Sequence, residues 1–141
     1  MMDHTEGISF VLVRPDGMIL MQKRDDGGGM KILYPNTWTI PGGHREGAES
    51  LLEAVIREVK EEFNLDIAPP QCKHVFTFML DHNTKEEVFI CRVPQHSNPE
   101  LFEGAEMKWM SFEQIKQLEL AWGKNKMLPQ LEKKLAEHYA D

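Results

Sequence analysis

The stretch from residue 43 to 65, GHREGAESLLEAVIREVKEEFNL, constrains the fold of this chain more than any other part of it. Ser50 and Glu53 have the spacing of a capping box, in which the two side chains satisfy free backbone amides at the start of a helix. At about 100° per residue, the apolar side chains that follow share one helix face: Leu52, Val55, Ile56, Val59 and Phe63. The pattern therefore predicts an amphipathic helix that begins at Leu51.

Three carboxylates, Glu58, Glu61 and Glu62, lie beside that apolar face, with Arg57 at their edge. Like charges three or four residues apart cost a helix roughly 0.2–0.5 kcal/mol per pair, so the cluster opposes folding unless a cation lies among them. Hard divalent cations prefer oxygen ligands, which predicts a site for Mg²⁺, with Mn²⁺ also suitable. An acidic run by itself more commonly indicates a solvated helix surface. The full spacing and the preceding Trp38–Gly43 run favour the metal site.

These residues resemble the Nudix box, which is Gly, five residues, Glu, seven residues, Arg-Glu, an aliphatic, any residue, Glu-Glu, any residue, Gly and an aliphatic. The matching residues are Gly43, Glu49, Arg57, Glu58, Val59, Glu61, Glu62 and Leu65. Asn64 stands where the family has Gly, and Asn tolerates the left-handed conformation expected at this helix end. The resemblance implies an α/β Nudix fold, an α/β/α sandwich whose mixed, curved sheet lies between the box helix and a C-terminal helix.

Length and charge limit the classes of protein to which the chain can belong. A chain of 141 residues is expected to form a single domain spanning 1–141, and its net charge of −7 argues against bulk binding of nucleic acid or anionic membranes. The N-terminal MMDHTEG lacks the features of a signal peptide, and no apolar run approaches membrane length. Cys72 and Cys91 show no metal-binding spacing, so we expect buried, reduced thiols and a cytoplasmic location.

The remaining pattern predicts strands, loops and two further helices. Strands are predicted at 8–14, 18–24, 38–40, 74–80, 87–93 and 107–110, of which the first is central and the pairs 8–14 with 18–24 and 74–80 with 87–93 form hairpins. Exposed loops are predicted at 25–36 and 94–105. Ser111 begins a helix that ends near residue 118, and a final helix carries Leu128, Leu131, Leu135 and Tyr139 on one face.

The resemblance also implies the parts of a catalytic site. A backbone carbonyl of Gly42 or Gly43 would join Glu58, Glu61 and Glu62 as a metal ligand, and Arg57 would pair with Glu58 or Glu49 and orient them. The base that takes a proton from the attacking water would be Glu61 or a glutamate of the 94–105 loop. Glu103 has the best offset within that loop, with Glu100 and Glu106 as competitors.

Substrate contacts are expected at four further residues. The resemblance places Arg24 on substrate phosphates and Asn125, in the 122–125 segment, near the base, whereas Phe76 and Phe78 could stack on a nucleobase. The competing interpretations are a surface arginine and two core aromatic residues.

Nudix hydrolases cleave a nucleoside diphosphate linked to a moiety X, and the box does not specify X. The short chain favours a MutT-like enzyme that converts a (deoxy)nucleoside triphosphate to monophosphate and pyrophosphate. ADP-ribose, nucleotide sugars and dinucleoside polyphosphates are alternative substrates, and a non-catalytic nucleotide-binding module is an alternative of another class. The expected partner is a small-molecule nucleotide, and many relatives form homodimers.

Overall fold

The protein is built around one mixed β-sheet. The structure, a computed structural model, describes residues 5–139 and the side chains of residues 7–137. The strands are β1 (Thr5–Val13), β2 (Ile19–Lys23), β3 (Trp38–Thr39), β4 (Gly42–Gly43), β5 (Cys72–Leu80), β6 (Thr84–Arg92) and β7 (Glu106–Met110). The helices are α1 (Leu51–Phe63), α2 (Phe112–Lys116) and α3 (Leu128–Tyr139).

Strand β1 lies at the centre of the sheet. The main strand order is β3-β2-β1-β6-β5, with β4 paired to β1 and β7 paired to β2. β1 runs parallel to β6 and antiparallel to β2 and β4. A parallel neighbour on one side and antiparallel neighbours on the other confirm the predicted mixed sheet.

The two faces of the sheet carry separate apolar clusters. Phe10 points towards α1 and meets Phe63 edge-to-face, with the ring centroids 6.4 Å apart. Val11 points to the opposite face, in the cluster that contains Leu131 of α3 and Ile115 of α2. Because successive side chains of a strand alternate between faces, β1 joins both clusters. The predicted α/β/α sandwich is thereby confirmed.

The predicted element boundaries agree with the structure to within a few residues. Both hairpins form as predicted, and no helix or strand occurs in 25–36 or 94–105. Helix α2 ends at Lys116, before the predicted residue 118. The side chain of Tyr139 and residues 1–4 and 140–141, which the single-domain prediction includes, lie outside the described residues.

Candidate active site

A cavity of about 680 Å³ opens where helix α1, the glycine strand β4 and the loops at 25–36 and 94–105 meet. Its lining includes carboxylates, two cations and several apolar side chains. The lining residues include Gln22, Arg24, Leu33, Ile40, Gly42, Gly43, Glu58, Glu62, Leu80, His82, Glu86, Glu103, Trp122 and Lys124. The cavity therefore combines four of the five predicted metal-site residues with space for a ligand of nucleotide size, whereas the fifth, Glu61, does not line it.

Helix α1 begins and ends as the sequence predicts. The Glu53 amide donates to Ser50 Oγ at 3.0 Å, and the Ser50 amide donates to Glu53 Oε1 at 2.7 Å. At the other end, Asn64 adopts the left-handed conformation, with φ of 53°. Both ends are thus fixed by local hydrogen bonds and backbone geometry, which sets which helical side chains face the cavity.

Arg57 connects Glu49, which precedes helix α1, to two carboxylates of the helix. Its Nε and one terminal nitrogen donate to both carboxylate oxygens of Glu49 at 2.6 and 3.0 Å. The other terminal nitrogen donates to Glu58 at 2.6 Å and to Glu61 at 3.1 Å. The hydrogen bond from Arg57 lowers the pKa of Glu49, and the Glu49 contact raises that of Arg57. These hydrogen bonds hold Glu49, Glu58 and Glu61 around one guanidinium.

Glu62 is the most constrained carboxylate of the site. It is 2 % exposed, and among the described side chains its Oε2 is the buried oxygen without a hydrogen-bond partner. Burial, a hydrogen bond with Glu58 and the charge of Glu103 raise the pKa of Glu62 to about 10. A buried, unpartnered carboxylate oxygen that faces other carboxylates is the arrangement expected of a cation ligand.

Glu103 is held next to Glu62 by the backbone of its loop. The Phe102 amide donates to the Glu62 carbonyl at 2.9 Å, and Gln22 Nε2 donates to the Glu103 carbonyl at 2.6 Å. Burial raises the pKa of Glu103, and the charges of Glu58 and Glu61 act in the same direction. The 94–105 loop thus places Glu103 beside the helix carboxylates Glu58 and Glu62 at the cavity.

Strand β4 needs glycine because other chain segments approach it too closely for a side chain. A Cβ at Gly43 would overlap the Glu58 carboxylate, and one at Gly42 would overlap the Ile8 carbonyl. The absence of a side chain at Gly43 lets the strand backbone lie beside the Glu58 carboxylate, and both residues line the cavity.

The donor set fits a hard divalent cation. Among the side chains at 7–137, no three acidic, histidine or cysteine groups converge in ligating geometry, and Glu58 and Glu61 instead face Arg57. The potential ligands are nevertheless all oxygens, of the kind that such ions bind: the unpartnered Glu62 oxygen, the carboxylates of Glu58 and Glu103, and the nearby glycine backbone. A cation among these three carboxylates would relieve their mutual repulsion.

Arg24 reaches the cavity, although its guanidinium has protein partners. Its Nε donates to the carbonyls of Leu33 and Tyr34 at 3.0 and 3.2 Å, and the guanidinium carbon lies 4.5 Å from the centre of the Trp122 ring. Burial lowers its pKa. Arg24 thus contributes positive charge at the cavity while it holds the 25–36 loop in place.

Three of the predicted substrate contacts do not line the cavity. Phe76 is 8 % exposed and packs in the apolar cluster between the sheet and α3. The Phe78 ring lies edge-to-face against it, with the ring centroids 6.4 Å apart. Asn125 accepts from the Leu120 amide and donates to the Leu118 carbonyl, both at 2.7 Å. The strand alternation turns Phe76 into the core, and the short amide of Asn125 is used by its own turn.

A buried polar group at the cavity was not predicted. Lys124 is 4 % exposed, donates to the Ile40 carbonyl at 2.7 Å and lies 3.8 Å from Glu86 Oε1, which also accepts from Ser9 Oγ at 2.6 Å. Burial lowers the pKa of Lys124, and the charge of Glu86 opposes this. Glu86 lies in the polar start of β6, residues 84–87, just before the strand predicted at 87–93, so the sequence offers no signal for it. Lys124 lies in a polar run that offers none.

Comparison with known proteins decides the family. The NUDIX domain model matches residues 3–131. The chain belongs to the Nudix family. Members of this family hydrolyse phosphoric anhydrides, and Nudix hydrolases generally use divalent metal ions.

Individual relatives agree with this assignment. The Uncharacterized Nudix hydrolase YvcI of Bacillus subtilis is 32% identical over 124 residues, which cover 84% of this chain and 73% of that protein. The MutT protein of Methanosarcina mazei has the same fold, with a TM-score of 0.73 and 22% identity over 95% of this chain and 98% of that one. The NUDIX domain of Shewanella oneidensis NrtR, solved with ADP ribose, has a TM-score of 0.76 and 16% identity over 96% and 90% of the two chains.

Within the described part of this Nudix protein, none of the helices has the length and apolar character needed to span a membrane.

Proposed function

We propose that this Nudix protein is a Mg²⁺-dependent hydrolase of nucleoside diphosphates linked to a moiety X, and that its substrate is a (deoxy)nucleoside triphosphate, cleaved to monophosphate and pyrophosphate. The observation that carries the proposal is the buried, unpartnered oxygen of Glu62, which faces Glu58 and Glu103 at the cavity. A polyanion binds beside these carboxylates only if a cation reverses their field.

The roles of the individual residues follow from their contacts. Glu58, Glu62 and a carbonyl of the Gly42–Gly43 strand would hold Mg²⁺, with Glu61 available beside them, and Mn²⁺ has the same ligand preference. Bound there, the ion would neutralise charge on the phosphate oxygens and lower the pKa of a bound water. Arg57 keeps Glu58 and Glu61 oriented through its hydrogen bonds.

The base is Glu103 or Glu61. Glu103 lines the cavity and is fixed by its backbone hydrogen bonds, whereas Glu61 is 58 % exposed and is bound to Arg57. A base must lie within hydrogen-bond reach of the water whose proton it accepts, which favours Glu103. Arg24 and Lys124 provide the positive charge that the phosphates meet away from the acidic cluster.

The rest of the cavity suits a nucleoside. Leu33, Ile40 and Leu80 provide apolar surface, and Trp122 provides an aromatic ring. Because every nucleobase offers a π-face and polar edges, this lining accepts a base without dictating which one. The solved relative that binds ADP ribose keeps a nucleotide-linked sugar as the second candidate for X.

The test is a substrate panel with chromatographic identification of the products. The wild-type protein, with and without Mg²⁺, is incubated with nucleoside triphosphates, ADP-ribose, nucleotide sugars and dinucleoside polyphosphates. We expect Mg²⁺-dependent release of nucleoside monophosphate and pyrophosphate from a triphosphate. Turnover of ADP-ribose alone would replace the proposed substrate, and the absence of turnover on every compound, with nucleotide still bound, would indicate a binding module.

A further inference from the structure

The two cysteines of the chain lie opposite one another in the sheet, far from the residues that the proposed reaction uses. Cys72 is the first residue of β5, the edge strand, and Cys91 is its direct partner in antiparallel β6. Both thiols are free. The cavity lies at the other end of this hairpin, where Leu80 and Thr84 line it.

The strand geometry brings the thiols within bonding reach. In a hydrogen-bonded antiparallel pair the two residues exchange both of their backbone hydrogen bonds, but the Cys72 amide donates to the Pro69 carbonyl. The pair is therefore of the closer, non-hydrogen-bonded kind, with a Cα separation of about 4.5 Å. Disulfides span Cα separations of about 4.4–6.8 Å.

The two cysteines differ in their access to solvent. Cys91 is fully buried in the apolar cluster between the sheet and α1, and Cys72 is half-buried beside it. A hydrogen bond with Cys91 lowers the pKa of Cys72, and the same contact with burial raises that of Cys91. The accessible thiol is thus the better nucleophile, and the second thiol lies against it without a direct route to solvent.

We infer that Cys72 and Cys91 form a peroxide-sensitive site that closes to an intramolecular disulfide between β5 and β6. The Cys72 thiolate attacks one oxygen of hydrogen peroxide, so that an S–O bond forms, the O–O bond breaks and hydroxide leaves as water after taking up a proton. Cys91 sulfur then attacks the Cys72 sulfenic acid, an S–S bond forms, the S–O bond breaks and the second water carries away the Cys91 proton. Two thiols are oxidised and one peroxide is reduced.

The disulfide would tie the edge strand to β6 next to the segment that follows α1. Cys72 packs in the same cluster as Leu65 and Ile67 of that segment. The disulfide would close a loop in the unfolded chain and so lower its conformational entropy. We therefore expect a higher Tm in the oxidised protein. Hydrolysis is expected to be unchanged, because the cysteine pair lies at the end of the hairpin opposite to the cavity.

The experiment exposes the folded, full-length chain to hydrogen peroxide, alkylates the remaining thiols and measures intact and peptide masses. We expect the wild type to lose two hydrogen atoms and both alkylation sites, with both restored by dithiothreitol. Cys91→Ala, whose folding is checked by circular dichroism, should stop at a Cys72 sulfenic acid that dimedone traps. Cys72→Ser should keep an unreacted Cys91 at the same dose.

Three results would overturn the inference. The first is a wild type that keeps both alkylatable thiols at a peroxide dose that oxidises Cys72 in Cys91→Ala. The second is equal oxidation of Cys91 with and without Cys72. The third is a disulfide that forms as fast in urea-unfolded protein as in folded protein, since the strand register would then contribute nothing. None of these depends on whether the protein hydrolyses nucleotides.

Discussion

At the scale of single residues, Glu62 is a carboxylate at a position where an uncharged side chain would make the folded protein more stable. Glu62 is buried, accepts no hydrogen bond at Oε2 and faces the charges of Glu58 and Glu103. An unsatisfied buried polar group costs about 1–3 kcal/mol, and more when it is charged. Stability and the proposed function therefore make opposite demands on this position.

Glu62→Gln should raise the stability of the metal-free protein and lower its activity. Without metal, Glu62 must take up a proton on folding at neutral pH, whereas the amide is neutral at every pH and can donate to Glu58, so we expect the free energy of unfolding in EDTA to rise by about 1 kcal/mol. The same change removes a cation ligand, and kcat with Mg²⁺ should fall by about 100-fold or more. Urea unfolding and steady-state kinetics measure the two effects. A variant that is less stable and fully active would contradict both roles.

Substituting Glu103 and Glu61 separately shows which of them is the base. If Glu103 accepts the proton, Glu103→Gln should lower kcat by about 10²–10⁴-fold and leave the Mg²⁺ concentration for half-maximal rate unchanged. Glu61→Gln, next to Arg57 and the predicted ligands, should instead raise that concentration. Mg²⁺ titrations of the initial rate distinguish them, and the reversed pattern would assign the base to Glu61.

At the scale of elements, three aromatic residues from separate segments meet in strained conformations, and two of them, His82 and Trp122, line the cavity. Tyr34, His82 and Trp122 have φ of 52°, 61° and 57°, and the Tyr34 ring lies 5.8 Å from His82 and 5.2 Å from Trp122. Asp81 joins the segments, because it accepts from Lys126 at 2.9 Å and hydrogen-bonds Tyr34. Left-handed backbone at a bulky residue persists only where the surroundings enforce it.

Gly123→Ala should disturb this arrangement beyond the ordinary cost of a left-handed alanine. Gly123 has φ of 69°, and a Cβ there would lie 2.8 Å from the Asp81 carboxylate. Gly17, with φ of 85° and open space around it, is the matched control. Both alanines should cost about 1–2 kcal/mol of backbone strain, but only Gly123→Ala should also raise KM, since Trp122 and Lys124 line the cavity. Equal effects of the two variants on KM would exclude this role of the contact.

The elements themselves were predictable where the signals are local. The capping boxes at Ser50 and Ser111, the left-handed Asn64 and the apolar period of α1 depend on neighbours within a few residues, and all appear as predicted. The 121–127 segment was not predictable in this way. Of its two left-handed residues, Gly123 lies against Asp81 and Trp122 against Tyr34, and both neighbours are distant in the sequence.

At the scale of the whole molecule, the site is assembled by pairings that no short-range pattern encodes. The parallel register of β1 with β6 places Ser9 opposite Val88 and brings its hydroxyl to Glu86, 77 residues away. Hydrophobic alternation identifies both strands, but it does not specify which of them become neighbours or in what register. The box carboxylates were therefore predictable from spacing, whereas the Ser9, Glu86 and Lys124 group was not.

Divalent ions should stabilise the whole protein through the same carboxylates. A ligand that binds only the folded state raises stability in proportion to the logarithm of its concentration above Kd, so the wild-type Tm should climb with Mg²⁺ and fall on adding EDTA. At a hundredfold excess over Kd the gain is about 2.7 kcal/mol.

Glu62→Gln should show a smaller rise in Tm with Mg²⁺ from a higher starting Tm, because the repulsion of Glu62 by Glu58 and Glu103 is already relieved in this variant. Ser111→Ala, which loses a helix cap remote from the cavity, should start lower and climb as the wild type does. Parallel Mg²⁺ curves for the wild type and Glu62→Gln would show that the ion binds elsewhere.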